Sequence, residues 1–428
     1  MELKVIEIEG KNYKEIIDSL LDRGEDDFTE VDGIVYKILK DVKTKGDRAL
    51  IEYTSQFDKV DLDSIKVTVE EIEEALQIVG DEFIDILKSA KENIALYHQK
   101  QLQNSWMTND EEGIILGQIT RPLGRVGIYV PGGKAAYPST VLMNAIPAKT
   151  AGVPSIAMVT PPNRDGKVNP YILAGARIAG IDEIYKIGGA QSIGALAYGT
   201  ETIDSVDKIV GPGNIYVARA KRAVFGLVDI DMIAGPSEIC ILADGSKNPK
   251  FIAADLLSQA EHDEMASSIF ITTSKDLAIK VKEEVKKQTE SSDRKEIIKK
   301  SLEGYGYIFI VKDVEEAIQI SNEIAPEHLE VMFDNPFELL PKIENAGAIF
   351  LGEYTPEPIG DYFAGPNHTL PTSGTAKFSS PLGTYDFMKK SSLIYYNKEA
   401  LRKVKDKVIS FTEAEGLTAH GNSIKVRF

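Results

Sequence analysis

The chain has 428 residues, enough to bury more than one hydrophobic core and to form two or more domains. Its formal net charge of −17 would repel a nucleic acid backbone, no apolar stretch approaches the length of a membrane span, and the first ten residues lack the apolar segment of a secretory signal. The single cysteine excludes an intrachain disulfide and any cysteine-based zinc motif. We therefore expect a cytoplasmic globular protein that binds neither nucleic acid nor a membrane.

The first hundred residues have the apolar spacing of amphipathic helices. Thr68 and Glu71 stand in capping-box spacing at the start of one helix, and apolar residues recur on one face of the segment 82–101 that follows. His98 comes directly after that face. We interpret it as a packing or surface residue without a chemical role.

From about residue 114, short apolar runs bounded by glycine and proline alternate with helices rich in small residues. The runs predicted as strands, with the turns that follow them, are GRVGIYVPGG, PSIAMVTPP, EIYKIGGA and DKIVGPGN. Such alternation is typical of βαβ units around a parallel sheet. A second α/β stretch runs from Glu238 to about residue 350.

Three glycine-rich turns follow predicted strands, at 127–133, 188–191 and 211–214. A turn that opens onto a helix offers free N–H groups to a pyrophosphate, which favours a nucleotide site. None of the turns matches GxGxxG, and VPGGKAAY lacks the glycine and hydroxyl residue of a P-loop. The turns alone leave a cofactor site and plain turns as alternatives.

The stretch SQAEHDEM ends a predicted helix and contains one of five histidines in the chain. Asp255, Gln259 and His262 fall on one helical face, and a glutamine oxygen and an imidazole nitrogen three residues apart can converge on a metal ion. Glu261 and Glu264 project elsewhere, and HExxH is absent. The residues alone leave a metal site and a solvated helix end as alternatives.

Two further histidines have acidic residues nearby in the sequence. Glu327 and His328 follow a proline, which suits the first turn of a helix or a tight bend, and such a pair can serve in acid/base chemistry. Asp361 and His368 lie in the segment 352–385, which is rich in glycine and proline and is interpreted as a long structured loop that carries function.

The last segment is predicted to contain a strand at SLIYY and a helix with one apolar face, followed by EAEGLTAH with Glu415 and His420. A histidine here can also merely interact with a helix dipole. Cys240 lies between two isoleucines and is interpreted as a buried strand residue with no neighbouring base, a poor candidate for a nucleophile.

Taken together, the motifs closely resemble the histidinol dehydrogenase family over essentially the whole chain. They occur in the family's order: GRVGIYVPGGKAAYPSTVLMNAIPA, GGAQSIGALAYGT, VGPGNIYVARAKR, AGPSE, SQAEHDE, APEHLE, DYFAGPNHTLPT and EAEGLTAH. The resemblance implies an α/β fold with two Rossmann-like parallel-sheet domains, a helical N-terminal region and a small C-terminal helical tail domain.

The resemblance also implies domain boundaries. A discontinuous α/β domain would carry the zinc and substrate site, and the remaining chain would form a helical domain, a Rossmann-like NAD-binding domain and a tail that reaches the partner subunit. The discontinuous α/β domain would comprise residues 1–25, 102–128 and 237–381. The helical domain would comprise residues 26–101, the NAD-binding domain residues 129–236 and the tail residues 382–428.

The implied activity is the NAD-dependent oxidation of L-histidinol to L-histidine through bound L-histidinal, the last two steps of histidine biosynthesis, with two NAD reduced and a zinc ion required. By matching motif positions, Glu327 and His328 would be the acid/base pair, and the zinc ligands would be Gln259, His262, Asp361 and His420. The substrate would contact His328 and these four ligands together with Ser237 and Glu415. NAD would contact Tyr129, Gln191 and Asn214.

In the family the tail reaches into the partner's active site, so Glu415 and His420 would be supplied across a homodimer. The resemblance gives His368 only a supporting role near Asp361. Gln259 is the least typical of the four zinc ligands by its chemistry.

The chemistry of the residues is consistent with this activity. His328 can take a hydroxyl proton while hydride leaves for nicotinamide, and a glutamate beside it can activate water for the aldehyde step, since the one cysteine looks inert. A zinc hydrolase with Glu327 or Glu415 as base, and a dimeric metal-binding protein without activity, are the alternatives.

Overall fold

The structure is a computed structural model, and it describes residues 3–8, 10, 13–21, 23, 28–132, 136–181, 183–233 and 235–428 of the chain. Its strands, in chain order, are β1 (Lys4–Glu7), β2 (Trp106–Thr108), β3 (Ile114–Pro122), β4 (Arg125–Tyr129), β5 (Ser155–Thr160), β6 (Glu183–Lys186), β7 (Lys208–Val210), β8 (Asp229–Ile230), β9 (Glu238–Ala243), β10 (Ser267–Thr272), β11 (Gly306–Ile310), β12 (His328–Met332), β13 (Ala348–Leu351) and β14 (Met388–Tyr396).

The helices lie between these strands and at both ends of the chain. They are α1 (Lys14–Leu21), α2 (Thr29–Lys45), α3 (Asp47–Asp58), α4 (Val69–Val79), α5 (Asp81–Gln99), α6 (Pro138–Ala151), α7 (Pro170–Ala179), α8 (Gly189–Tyr198), α9 (Ile215–Val224), α10 (Pro249–Ala260), α11 (Lys275–Glu290), α12 (Lys295–Tyr305), α13 (Val314–Ile324), α14 (Glu357–Tyr362), α15 (Lys398–Ala414) and α16 (Thr418–Lys425).

Two of the sheets are parallel throughout. The five-stranded sheet has the order β6-β5-β4-β7-β8, and the six-stranded sheet has the order β1-β11-β10-β9-β12-β13. From β4 in the first sheet and from β9 in the second, the chain adds strands to one side and later to the other, while β1 forms the edge of the six-stranded sheet beside β11. This reversal falls between β4 and β7 in the first sheet and between β9 and β12 in the second.

The central parallel strands are short, and they are buried because helices cover both faces of these sheets. Every residue of β9, β10 and β12 is buried. Helices α10 to α12 pack on one face of the six-stranded sheet and α1 and α13 on the other. The five-stranded sheet is likewise enclosed by α4 to α7 on one face and by α2, α3, α8 and α9 on the other.

A third sheet is antiparallel, with the order β14-β3-β2. It joins the last strand of the chain to the segment that precedes β4. Helices α15 and α16 follow β14 and form the tail. In α15 only Ala400 and Thr412 are buried, and in α16 only Gly421 is buried.

The fold class expected from the sequence is confirmed, with two parallel α/β units, N-terminal helices and a helical tail. The capping box of Thr68 and Glu71 is formed at the start of α4. The boundaries expected for the four domains stay a prediction. No helix in the described part of the chain is long and apolar enough to cross a membrane.

The expectation that the first hundred residues are all helical is wrong at their start, because Lys4–Glu7 is the edge strand β1. The run KVIE places two apolar residues between two polar ones, and Ile6 packs partly against the core while Val5 is exposed, which suits a short edge strand. His98 is confirmed as a packing residue. It is fully buried, with Nδ1 2.8 Å from the Ile94 carbonyl oxygen.

Two local predictions near the site have a mixed outcome. Of the two alternatives for Glu327 and His328, the helix is wrong and the tight bend is confirmed, since Glu327 lies in a bend and His328 is the first residue of β12. The segment 352–385 is not a loop throughout. It contains α14 and two short 3-10 turns, at 375–377 and 384–387.

Candidate active site

A cavity of about 320 Å³ lies where the two parallel sheets meet. The five-stranded sheet contributes residues that follow β4 and β7, at the carboxyl ends of its strands, while Gly133 at the end of the first predicted glycine-rich turn lies outside the described residues. The six-stranded sheet contributes the residues that lead into β9 and β12, at the amino ends of its strands. Eight residues singled out in the sequence line this cavity: Asn214, Ser237, Gln259, His262, Glu327, His328, Asp361 and His368.

Glu327 and His328 are held by the backbone of residue 238, where β9 begins beside β12. The Glu327 carboxylate oxygen Oε2 accepts a hydrogen bond from the Glu238 N–H at 2.8 Å, and His328 Nδ1 lies 2.9 Å from the Glu238 carbonyl oxygen. A carbonyl oxygen can only accept, so Nδ1 carries a proton and donates. Both side chains are almost fully buried.

The other ring nitrogen of His328 faces the cavity and its acids. Nε2 lies 3.8 Å from Asp361 Oδ1 and 4.0 Å from Glu357 Oε1, both longer than a hydrogen bond. Within the described ranges Nε2 has no hydrogen-bond partner. His328 therefore presents one nitrogen to the backbone and leaves the other free for a ligand in the cavity.

Burial and charge shift the pKa values of this group in opposite directions. Burial alone lowers the pKa of His328, but Glu327 and Asp361 beside it raise that pKa to about 10. Burial raises the pKa of Glu327 to about 7, although His328 opposes the shift. Burial also raises the pKa of Asp361, but the neighbouring imidazoles of His328 and His368 outweigh it and lower that pKa to about 2.

Asp361 lies in the last turn of α14. The amino end of this short helix is held by Glu330 of β12, whose Oε1 accepts a hydrogen bond from the Glu357 N–H at 2.9 Å. The helix thus turns Glu357 and Asp361 toward His328. Burial and the negative charge of Asp361 raise the pKa of Glu357 to about 8.

Gln259 and His262 come from the end of α10. Asn248 caps the amino end of this helix, and the turn continues past its carboxyl end, where the His262 N–H donates to the Gln259 carbonyl oxygen at 3.1 Å. Gln259 is 1% exposed, and its side-chain oxygen has no hydrogen-bond partner among the residues the structure describes. Burial lowers the pKa of His262, which favours the neutral imidazole.

These donors fit a zinc ion. A buried amide oxygen without a partner is costly unless a ligand satisfies it, and neutral imidazole with carboxylate completes a nitrogen and oxygen donor set of the kind zinc accepts. In the described chain His328, Glu357 and Asp361 also bring ligand atoms within 4.8 Å of one another. The geometry thus supports a cation at this end of the cavity.

Tyr129, Gln191 and Asn214 meet around the glycine-rich turns of the five-stranded sheet. Tyr129 ends β4 and packs under Gly213, while Gln191 lies in the first turn of α8 beside Gly189. Asn214 caps α9 by accepting the Val217 N–H at 3.2 Å, and of the three only Asn214 lines the cavity. Tyr129 and Gln191 are buried behind it.

Glu415 and His420 are exposed on the tail and are not among the described residues that line the cavity of this chain. The sequence reasoning also missed three charged residues of the cavity: Glu357, Lys221 and Asp231. Glu357 could have been found, since it precedes Asp361 by one helical turn. Lys221 and Asp231 form a buried ion pair, and no helix or strand periodicity in the sequence links the two residues.

The comparisons with known proteins point to one family. A sequence model of the family described as histidinol dehydrogenase matches residues 21–428. The histidinol dehydrogenase of Clostridium acetobutylicum is 61% identical over 98% of this chain and 97% of that protein.

The chain belongs to the histidinol dehydrogenase family. A further member, from Caldanaerobacter subterraneus subsp. tengcongensis, is 57% identical over 96% of each chain. The crystal structure of histidinol dehydrogenase from Elizabethkingia anophelis is similar with a TM-score of 0.94 and 39% identity, covering 99% of this chain and 98% of that one.

Membership of the histidinol dehydrogenase family makes this protein an oxidoreductase enzyme. It sets aside the two alternatives left open by the sequence, a zinc hydrolase and a metal-binding protein without activity. The interpretation of Cys240 as a buried strand residue is confirmed, because its side chain is fully buried in β9 and burial raises the pKa of its thiol.

Proposed function

We propose that this protein oxidises L-histidinol to L-histidine through bound L-histidinal, with NAD as the electron acceptor and with a zinc ion bound in the cavity. The observation that carries the proposal is the Glu327–His328 pair, which faces a cavity shared by the metal-type donors of α10 and α14 and the glycine-rich turns of the five-stranded sheet. The family of the chain supports the same activity.

His328 would be the base of the first oxidation. Because Nδ1 donates to the Glu238 carbonyl oxygen, neutral His328 carries its lone pair on Nε2, the nitrogen that faces the cavity. Nε2 would take the hydroxyl proton of histidinol as hydride leaves the same carbon, and the product of this step is the aldehyde. NAD would accept the hydride in each of the two oxidations.

Glu327 would prepare the second oxidation. An aldehyde must gain an oxygen atom before it can lose a second hydride, and a fully buried thiol such as Cys240 does not supply a nucleophile. Glu327, with a pKa raised to about 7, can take a proton from water as the water adds to the aldehyde. The hydrate then loses a hydride and a proton, and the net reaction consumes one water.

Gln259, His262, Asp361 and His420 would hold the zinc ion. Zinc at these ligands would orient the imidazole and amine of the substrate and offset the negative charge that raises the pKa of His328. Ser237, which lines the cavity, and Glu415 would contact the substrate together with His328 and these ligands. Tyr129, Gln191 and Asn214 would contact NAD.

A homodimer would bring Glu415 and His420 to the cavity of the partner subunit. The tail supports this arrangement because it exposes apolar side chains that a monomer would leave in water: Phe411 is 72% exposed and Val426 is 69% exposed. The neighbouring antiparallel sheet exposes Ile394 and Met107 to a similar degree. A second copy of the chain would cover both surfaces.

The proposal is tested by measuring NADH formed per histidinol consumed, with zinc analysis on the same sample. We expect about two NADH per histidinol, because an alcohol becomes a carboxylate in two hydride transfers. Removal of metal with a chelator should abolish turnover, and added zinc should restore it. No NADH formation by zinc-loaded protein would overturn the proposed activity, and a ratio near one would overturn the second oxidation.

A further inference from the structure

Two charged residues outside the cavity form a buried ion pair directly behind the Glu327–His328 pair. The guanidinium of Arg23 and the carboxylate of Glu238 are 2.6 Å apart, with side chains 2% and 3% exposed. Arg23 comes just after α1, and Glu238 is the first residue of β9. The pair therefore joins two segments of the chain that are distant in sequence.

Both the backbone and the side chain of Glu238 form hydrogen bonds. Its N–H and carbonyl oxygen bind the side chains of Glu327 and His328, as described above. Its carboxylate accepts hydrogen bonds from Arg23, from the Ser373 N–H at 3.0 Å and from the Glu327 N–H at 3.3 Å. Three N–H donors, one of them a guanidinium, converge on this group, as suits a buried carboxylate.

Arg23 fixes the other side of the same peptide segment. Besides Glu238, its guanidinium donates to the Pro236 carbonyl oxygen at 3.2 Å and to the Leu20 carbonyl oxygen at 3.0 Å. Pro236 and Glu238 flank Ser237, a residue of the cavity wall. The ion pair thus clamps the backbone on both sides of that wall residue.

We propose that Arg23 and Glu238 are positioning residues, which hold the peptide at 238 so that Glu327 and His328 present their reactive atoms to the cavity. The inference rests on the proposed function of that pair. Neither residue touches the cavity itself. A shift of the peptide would change the angle of the His328 ring and release the carboxylate of Glu327, and small displacements of a catalytic group are costly for the chemical step.

The test is Glu238→Gln in the full-length, zinc-loaded enzyme. The amide has the same shape but offers one oxygen and places an NH₂ group against the N–H donors that the carboxylate accepted. We expect kcat to fall about 10- to 100-fold, as for other residues that orient a reactive group. KM for NAD should change by less than about threefold, since the residues proposed to contact NAD lie on the five-stranded sheet and stay in place.

Glu183→Gln is the matched control. Glu183 pairs with Arg125 at 2.6 Å, at the amino end of the five-stranded sheet and away from the cavity. Losing this ion pair should lower the thermal unfolding midpoint and leave kcat unchanged. A kcat loss in Glu183→Gln as large as that in Glu238→Gln would overturn the positioning role, since it would trace both effects to stability.

Arg23→Lys provides a second variant in case Glu238→Gln does not fold. Lysine keeps the charge but lacks the fork that binds Glu238 and two carbonyl oxygens together. We expect a smaller loss of kcat, again with KM for NAD nearly unchanged. Wild-type kcat in folded Arg23→Lys or Glu238→Gln would overturn the inference. An inactive wild-type enzyme would instead overturn the proposed function, so the two failures are distinct.

Discussion

His328 has a different task for each of its ring nitrogens. Nδ1 is fixed by a backbone carbonyl oxygen, and Nε2 faces the cavity without a partner in the part of the chain that the structure describes. The hydrogen bond keeps the proton on Nδ1 when the ring is neutral, so the orientation of the proposed base is set by β9 and not by the substrate. A substituted side chain at position 328 that still donates to the Glu238 carbonyl oxygen, but has no nitrogen in place of Nε2, would preserve the cavity wall and remove the proposed base.

His328→Asn keeps the hydrogen bond to the backbone and removes the proton acceptor. The asparagine amide can still donate to the Glu238 carbonyl oxygen but has no group that accepts a proton from the substrate. We expect kcat to fall by about 10²- to 10⁴-fold, the usual contribution of a general base, with zinc content unchanged. Zinc analysis and steady-state rates on the same preparation check this.

Cys240→Ala is the control for that experiment. Cys240 is fully buried in β9 and pairs with Leu329 of β12, so its removal perturbs the same two strands without touching the cavity. The variant should retain kcat within a few-fold and about two NADH per histidinol. Loss of the second oxidation in Cys240→Ala, with the first intact, would instead make the thiol the nucleophile.

Among the secondary-structure elements, strand β12 carries the Glu327–His328 pair at its start, and the beginning of β13 supports the backbone of Glu327 from the other side. The Gly347 N–H donates to the Pro326 carbonyl oxygen at 2.9 Å, and the Ala348 N–H donates to the Glu327 carbonyl oxygen at 2.8 Å. A Cβ atom at Gly347 would lie 2.5 Å from the Glu327 carbonyl oxygen. The backbone of Glu327 is thus packed between β9 and a glycine.

Gly347→Ala should therefore disturb both stability and catalysis. The added methyl group meets backbone atoms, which cannot rotate away, so we expect a loss of about 1–3 kcal/mol in the free energy of unfolding and a reduced kcat. Denaturant unfolding and steady-state kinetics measure the two effects. A variant with unchanged stability and kcat would show that β12 and β13 are less tightly packed at Glu327.

Gly304→Ala is the matched substitution. Gly304 lies within α12, is exposed, and a Cβ atom there would meet nothing within 4 Å. Alanine has the higher helix propensity, so this variant should gain about 0.5–1 kcal/mol in the free energy of unfolding with kcat unchanged.

Local patterns in the sequence were sufficient for most of these elements. The apolar runs that became β4 and β5 end in glycine and proline, and the segments between them have helical spacing, so the parallel units could be predicted. The start of β12 could not. APEHLE carries no apolar run before its histidine, and the strand is defined by its neighbours β9 and β13, which are distant along the chain.

The candidate site divides in the same way. Gln259 and His262 are close in sequence and could be paired from helical spacing alone. Arg23 and Glu238 are charged residues that the sequence would place in solvent, and only their contact across the fold explains their burial. The assignment of Asp361 and His420 as partners of α10 came from the family resemblance, since no local period connects them.

At the scale of the whole molecule, the proposed site residues of the tail do not line the cavity of the same chain. Gln259, His262 and Asp361 line the cavity of the chain, whereas Glu415 and His420 are exposed on the tail. The tail also buries few residues of its own, and four of its large apolar side chains are exposed: Phe411, Leu417, Val426 and Phe428. Both facts follow if each active site is completed by a second copy of the chain.

Hybrid dimers test this arrangement. We expect Gln259→Ala and His420→Ala homodimers each to be inactive, because each lacks a proposed zinc ligand at both sites. In a hybrid of the two, one site combines the intact cavity of one subunit with the intact tail of the other. Random 1:1 mixing after denaturation and refolding should then recover about a quarter of wild-type activity, from the single intact site of each hybrid.

The control is the same mixing with both substitutions in one chain and wild type as partner. If sites are shared, this hybrid keeps no intact site, because the wild-type cavity receives the substituted tail and the substituted cavity receives the wild-type tail. Mixing at 1:1 then lowers the activity below the summed activity of the two unmixed proteins. If each site lies within one chain, the hybrid keeps one intact site and no loss occurs. Recovery in the first mixture with loss in the second is expected only for sites shared across the dimer.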